Sequence, residues 1–302
     1  MRSEKAQLIE QGAGWRDYLE LCKPKVVLVM LLTAVVGMFV ATPSLPPWHL
    51  VVLATLGIGM AAGSAAAINH VMDRRIDEKM ARTQSRPLPQ GKLAPLNALL
   101  FAAVIGTAGI GLLAFWVNPL TAWLTLASLM GYAVVYTVYL KRATPQNIVI
   151  GGIAGAAPPL LGWTAITGTF DPNALLLVLI IFAWTPPHFW ALCIARKNDY
   201  AKAGVPMLPV THGETFTRLQ ILLYSVMLLL CSLLPYVTGM SGILYLLGVI
   251  ALNLRFMYWA WRLFRLRVQG EPMKMFRHSI NYIMIFFVVL LADHYLIMVP
   301  AV

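Results

Sequence analysis

Residues 57–77 read GIGMAAGSAAAINHVMDRRID, and this stretch decides the fold. Its first part, Gly57–Ile68, is small-residued and uncharged; its second part, Asn69–Asp77, carries two aspartates and two arginines. That switch marks a helix leaving hydrocarbon for water. Asn69, Asp73 and Asp77 recur every fourth residue. On a helix they form one stripe that turns by about 40° per step. The stretch therefore predicts an all-α membrane protein whose chemistry sits at one membrane face.

The rest of the chain agrees. Of 302 residues, 59% are hydrophobic and 12% charged, with a mean hydropathy of +0.73. That charge content is about half the usual share of a soluble domain, so lipid is the natural solvent. A span needs about 20 mostly apolar residues. Candidate spans lie near 25–42, 49–70, 96–116, 119–140, 147–167, 173–195, 219–238, 241–261 and 279–299. They predict a polytopic bundle of about nine transmembrane helices forming a single domain, 1–302.

The net charge of +11 is then a record of topology. All 23 Lys and Arg group with the N-terminal segment and with alternate inter-span regions, near residues 74–92, 141–142, 196–218 and 255–277; Arg255 lies inside its span, with a side chain long enough to snorkel toward the cytoplasmic end. The intervening loops and the C-terminus carry none. The pattern predicts a cytoplasmic N-terminal segment 1–22 and a C-terminus on the opposite, periplasmic side. It also removes the nucleic-acid reading of a basic chain. Residues 1–22 contain Glu4, Glu10, Asp17 and Glu20 and no apolar core, unlike a signal or transit peptide. Cys22, Cys193 and Cys231 have neither disulfide nor metal spacing and read as packing residues.

Two long loops, about 73–95 and 196–217, face the cytoplasm on this topology. Both mix acid and base and then turn through Pro and Gly, which hints at a duplicated four-helix unit followed by a ninth span. Function concentrates in such loops. Two carboxylates and an amide on one stripe make a hard-oxygen site suited to Mg²⁺, which keeps waters and phosphate as its other ligands. Lys79, Arg82 and Arg86 follow at once, and carboxylate–metal with Lys and Arg is a standard answer to a diphosphate. The plain alternative is a charged helix end satisfied by its own neighbours. Like charges at i,i+4 repel, however, and the whole chain has only 12 acids to place. His70 adjoins the stripe but is read as projecting to another side.

The pattern Asn69-x₃-Asp73-x₃-Asp77, then Arg82-Thr83 and Arg86-Pro87-Leu88, resembles the first aspartate motif of the UbiA-type intramembrane prenyltransferases. Three further stretches are similar to the protohaem IX farnesyltransferase branch of that superfamily. They are Tyr139-Leu140-Lys141-Arg142 with Thr144–Asn147, the run Trp184–Trp190 (WTPPHFW), and Asp199-Tyr200 with Ala203–Pro209. The likeness runs from about Leu21 to Leu291. It implies the UbiA-type fold in a bacterial inner membrane. It also implies farnesyl diphosphate and haem b as substrates, Mg²⁺ as cofactor, and a haem-A-forming enzyme or terminal oxidase as downstream partner.

The resemblance assigns residues as follows. Asn69, Asp73, Asp77 and Asp199 are the catalytic and metal-holding set. Lys79, Arg82, Arg86, Lys197 and Lys202 bind diphosphate. Tyr136, Tyr139 and Trp184, with Tyr132, Phe189 and Trp190 near them, stabilise an allylic cation. A haem substrate asks for an axial ligand; His188, which follows Pro186-Pro187, is the first candidate and His212 the second. Lys141, Arg142 or the basic residues near 255–277 are candidates for the haem propionates. One departure stands out: many superfamily members carry a second D-x₃-D in the later loop, and here Asp199 stands alone, with Ala195 and Ala203 four residues either side. Lys197 and Lys202 are candidates to take the place of a second metal. Two rivals are the same fold with another acceptor, and a secondary transporter. Transporters place their charges near the midplane, whereas these acids lie at the boundary, with Asp293 and Arg255 the nearest exceptions.

Overall fold

A computed structural model describes residues 13–266, 268 and 270–298. Arg2, Lys5, Glu4, Glu10, Arg267 and the C-terminal residues used in the charge pattern lie outside the described residues. All regular structure among the described residues is helical. In chain order the helices are α1 (Trp15–Leu21), α2 (Pro24–Val40), α3 (Trp48–Asp77), α4 (Pro95–Trp116), α5 (Pro119–Ala143) and α6 (Asn147–Thr167). Then follow α7 (Pro172–Ala195), α8 (Lys197–Lys202), α9 (Leu208–Thr211), α10 (Gly213–Val237), α11 (Ile243–Arg265) and α12 (Glu271–Leu296).

Eight of these are long and apolar enough to cross a membrane, and α1 with α2, bent by 53°, passes the same test of length and apolarity when the two are taken together. The chain is an integral membrane protein. The first apolar run is short, and the structure shows how it is lengthened: α1 adds seven residues at an angle. The bend sits at Lys23, whose φ of 49° is left-handed. The second candidate span outruns its apolar run by a full polar stretch, so α3 carries Asp73 and Asp77 on unbroken helix. The last span starts earlier than its apolar run, at Glu271.

Two seams bring backbones together. Between α3 and α4, a Cβ on Gly109 would lie 2.8 Å from the Gly57 carbonyl oxygen, and the Ser64 hydroxyl donates to the Ala102 carbonyl at 2.7 Å. Between α2 and α6, a Cβ on Gly162 would collide with the Ala34 carbonyl. Lipid supplies no hydrophobic drive between helices, so close backbone packing and interhelical hydrogen bonds hold them. The later spans add a buried polar chain. Tyr282 donates to Asn253 (3.0 Å), and Asn253 donates to the Ser232 hydroxyl (2.7 Å). The three cysteines are free thiols.

Two irregular helices frame the site. In α5, residues Gly131–Leu140 wind as a π-helix, and the Thr137 hydroxyl donates five residues back to the Tyr132 carbonyl at 2.8 Å. Such bulges often mark functional positions. In α7, Pro186 and Pro187 remove two backbone donors inside the helix. Ile76, in the last turn of α3, and Met80 just after it belong to the same extended apolar cluster as Tyr200, Val205, Met207 and Leu208, and Arg82 lies within electrostatic reach of Tyr200. The two long loops therefore approach each other at the same end of the bundle.

Candidate active site

The stripe at the end of α3 is buried, not solvated. Asn69, Asp73 and Asp77 are each under 5% exposed. Each accepts from one cation of a different element. Lys23, at the α1–α2 bend, donates to the Asn69 amide oxygen at 2.5 Å. Lys141, near the end of α5, donates to Asp73 Oδ2 at 2.5 Å. Arg86, in the following loop, donates to Asp77 Oδ2 at 2.7 Å. Asn69 in turn donates through Nδ2 to Asp73 Oδ2 (2.8 Å) and to the Thr137 hydroxyl (3.1 Å). The π-helical winding of α5 is what carries Thr137, fully buried, into this contact. Lys23 is half-buried and lies within electrostatic reach of Arg86, Lys141, Asp73 and Asp77.

Asp73 Oδ1 is buried and has no hydrogen-bond partner. A bare carboxylate oxygen inside a low-dielectric site is costly unless something binds it. The donor set here, two carboxylates and an amide oxygen, suits Mg²⁺, which binds through one or two carboxylates and fills its remaining positions with waters and substrate phosphate. Among the described residues no three His, Cys, Asp or Glu side chains come together as a closed metal cage. Asp199 is thus not drawn to Asp73 and Asp77.

His70 corrects the sequence reading. A step from 70 to 77 is seven residues, which returns to within about 20° of the same face. The imidazole is accordingly 2% exposed, lies in the field of Lys23, Arg86 and Lys141, and leaves both ring nitrogens unpartnered.

The other predicted residues divide. Lys79 and Arg82 are exposed. Arg82 nevertheless reaches Tyr200 electrostatically: burial pushes the Tyr200 phenol up, and the Arg82 charge opposes it. Asp199 is half-buried on α8, beside a depression of about 340 Å³ lined also by Arg196, Lys197 and Glu214. Lys197 pairs with Glu214 at 3.6 Å, and Lys202 is exposed. Tyr136 stacks on Tyr132 with centroids 5.5 Å apart and lies within electrostatic reach of Asp73 and Tyr200. Tyr139 stands outside that stack and is 69% exposed. Trp190 is buried against Tyr224.

His188 is held on three sides. Its Nδ1 shares a 2.7 Å hydrogen bond with the Ser279 hydroxyl. Trp184 stacks on one side at 4.2 Å and Phe276 packs at 4.7 Å. Trp184 is fixed by donating Nε1 to the Ser279 carbonyl at 2.9 Å. His212 is exposed in the α9–α10 turn, bonded to the Thr211 hydroxyl.

Lys23 and Thr137 were missed, and Lys141 was read toward another ligand. Lys23 had a signal, a basic residue set directly before Pro24 at the start of a span. Thr137 had none, because the π-helix is not written in the apolar pattern.

The sequence profile of the UbiA prenyltransferase family matches residues 30–290. The protoheme IX farnesyltransferase of Hahella chejuensis is 62% identical over 285 residues, covering 94% of this chain and 95% of that one. Its namesake from Marinobacter nauticus is 62% identical over 288 residues, 95% of each chain. Among solved structures, a digeranylgeranylglyceryl phosphate synthase superposes with a TM-score of 0.78 at 20% identity, covering 93% of this chain and 99% of that one. A UbiA homologue from Archaeoglobus fulgidus bound to GPP and Mg²⁺ superposes with a TM-score of 0.63 at 18% identity, covering 91% and 99%. These two support the fold alone. The family profile and the close relatives together decide the rest: the chain belongs to the UbiA prenyltransferase family, in its protohaem IX farnesyltransferase branch.

Proposed function

We propose that this chain transfers the farnesyl group of farnesyl diphosphate to a vinyl group of haem b and adds water, giving haem O. The observation that carries the reading is a buried oxygen stripe ringed by cations in a chain 62% identical to named farnesyltransferases. The allylic C–O bond breaks, and the diphosphate leaves with the electron pair. The terminal vinyl carbon attacks the allylic cation, and the new C–C bond leaves positive charge on the inner vinyl carbon. Water adds there and loses a proton.

Asp73 and Asp77 are the Mg²⁺-holding residues in this reading, with Asp73 Oδ1 the oxygen left open for it. Bound there, Mg²⁺ would supply positive charge against the departing diphosphate. Asn69 orients Asp73 by its amide hydrogen bond. Arg86 donates to the diphosphate, with Arg82, Lys197 and Lys202 at the rim drawing it in; Lys79 is a more distant contributor. In this reading Asp199, half-buried on α8, acts on the outer side of the diphosphate. The Tyr132–Tyr136 stack offers ring faces to the allylic cation and, with the apolar cap, limits water. His188 is the haem ligand: with Nδ1 tied to Ser279, Nε2 is the nitrogen left for iron, in the way an orienting hydrogen bond fixes a ligating imidazole.

The single domain sits in the bacterial inner membrane with the N-terminal segment and both long loops cytoplasmic. Haem O then passes to a haem-copper oxidase or to a haem-A-forming enzyme. The test is direct. Membranes holding the protein are given haem b, farnesyl diphosphate and Mg²⁺, and extracts are searched by mass spectrometry for haem bearing farnesyl plus water. Its appearance, and its loss with EDTA, support the reading. Pyrophosphate release without modified haem rejects the acceptor; neither product from an inserted protein rejects the reaction.

A further inference from the structure

An arginine stands on the outside of the bundle near the middle of a spanning helix. Arg255 is exposed, and the 23-residue α11 runs on past it to Arg265. The ion pair of Arg262 with Glu271, at 2.9 Å, sets the register of α11 against α12. Two turns back along α11 and two turns forward along α12, Arg255 and His278 lie level, and Arg255 is within electrostatic reach of His278. That level is roughly 10 Å from the ion pair. Asn281, also exposed, lies about one turn farther on. Beyond it the outward residues Leu244, Leu247, Ile285 and Val288 are apolar.

The groove between the two helices therefore has a polar end and an apolar end. The polar end is strongly positive: Arg255, Arg262, Arg265, Lys274 and Arg277 stand there against a single acid, Glu271. Glu271 is buried and already taken by Arg262 and Lys274. Among the described residues Arg255 and Arg277 have no acidic partner. Arg262 lies over Trp259 and Arg265 over Trp261, each at 5.5 Å, a pairing of cation and ring suited to a membrane interface.

A charge on the outside of a span is unfavourable unless an opposite charge meets it. The Arg255 side chain is shorter than two helical turns, so snorkelling carries its guanidinium only part of the way to the level of Arg262. A phosphate drawn down the groove completes the distance. A free ion has nothing to hold it at that depth. An amphiphile has, because the groove continues as apolar surface.

We propose that the outward groove between α11 and α12 binds one anionic phospholipid. Its phosphate sits on Arg255, with the Asn281 amide donating from α12 and Lys274 and Arg277 adding positive charge. Its acyl chains run along Leu247, Ile285 and Val288. The surplus charge selects an anionic headgroup over a zwitterionic one.

The test is native mass spectrometry of the full-length protein, titrated with phosphatidylglycerol or phosphatidylcholine. Wild type is expected to take its first phosphatidylglycerol about 10-fold more tightly than phosphatidylcholine. Arg255→Leu should abolish that preference by weakening phosphatidylglycerol alone. Asn281→Leu should weaken phosphatidylglycerol about 3-fold, and Arg255→Lys should keep most of the preference. Arg16→Leu removes another exposed cation, on α1, and should change the first binding step by no more than about 2-fold. Equal losses in Arg16→Leu and Arg255→Leu overturn the proposal, because the preference then follows net charge. Equal affinity of wild type for the two lipids overturns it as well. So does displacement of the lipid by an equimolar amount of haem b, or a lipid-free dimer that falls apart only in Arg255→Leu; these give the groove to the porphyrin or to a second copy. Should Arg255→Leu not elute as monodisperse protein, Asn281→Leu with unchanged phosphatidylglycerol affinity overturns the proposal.

Discussion

The segments after α3 and after α7 look alike in sequence and differ in structure. Both place acid and base at the end of a span and then turn through Pro and Gly. After α3 the helix does not stop, so Asp73 and Asp77 stay on its rigid axis and are carried into the bundle. After α7 the helix ends at Ala195, Arg196 leaves helical geometry, and Asp199 sits on the separate six-residue α8. The first pair of acids is buried, Asp73 served by Lys141 from another span and Asp77 by Arg86 from the loop that follows; in the second loop the more exposed Glu214 takes Lys197 and the buried Arg218. Helix continuity, more than the count of acids, decides which aspartate is carried into a buried, low-dielectric position.

The comparison can be broken by mutation. Asp73→Ala should lower farnesyl transfer by about 10³-fold or more while the protein still inserts, because it removes the open oxygen. Near-normal activity in that variant would end the distinction between the loops. Arg86→Met should cost about 10²-fold in kcat/KM for farnesyl diphosphate, measured by pyrophosphate release. Asp199→Asn should cost about 10-fold, since a half-exposed acid acts through higher dielectric; a loss matching Asp73→Ala would make the second loop an equal partner. Glu214→Gln should change activity by no more than about 2-fold, as expected for surface ion pairs. The same comparison extends to the haem side: His188→Ala should shift the optical spectrum of bound haem, and His212→Ala should leave it unchanged.

The nine spans and the aspartate stripe were legible because both are local patterns, an apolar run and a four-residue repeat. The length of α3 was half-legible: the aspartates read as a stripe on a helix, yet the loop was bounded from about residue 73, four residues before the helix ends. His70 was misplaced by counting neighbours when its seven-residue spacing to Asp77 carried the answer. The cations were not legible. Lys23 and Lys141 lie 46 and 68 residues from the groups they serve, a distance set by how α2, α3 and α5 pack. Lys141 is tied to Asp73 in this structure, which leaves Arg142, bonded to the Met72 carbonyl, as its neighbour at the end of α3. Tyr139 shows the opposite limit: its sequence neighbourhood pointed to the site, and its exposure points to lipid.

Asp293 bears on how the chain is made. It is fully buried in the last span, and its carboxylate accepts from the Gly242 and Tyr245 backbone amides at 2.6 and 2.9 Å. Those amides open α11, whose first turn has no helix partners of its own. During synthesis α11 enters the membrane some 50 residues before the group that completes it. Until α12 arrives, those donors at the leading edge of α11 lack the carboxylate that completes them. The final helix is thus the piece that finishes the end of its neighbour, and a chain stopped before it leaves α11 without its cap.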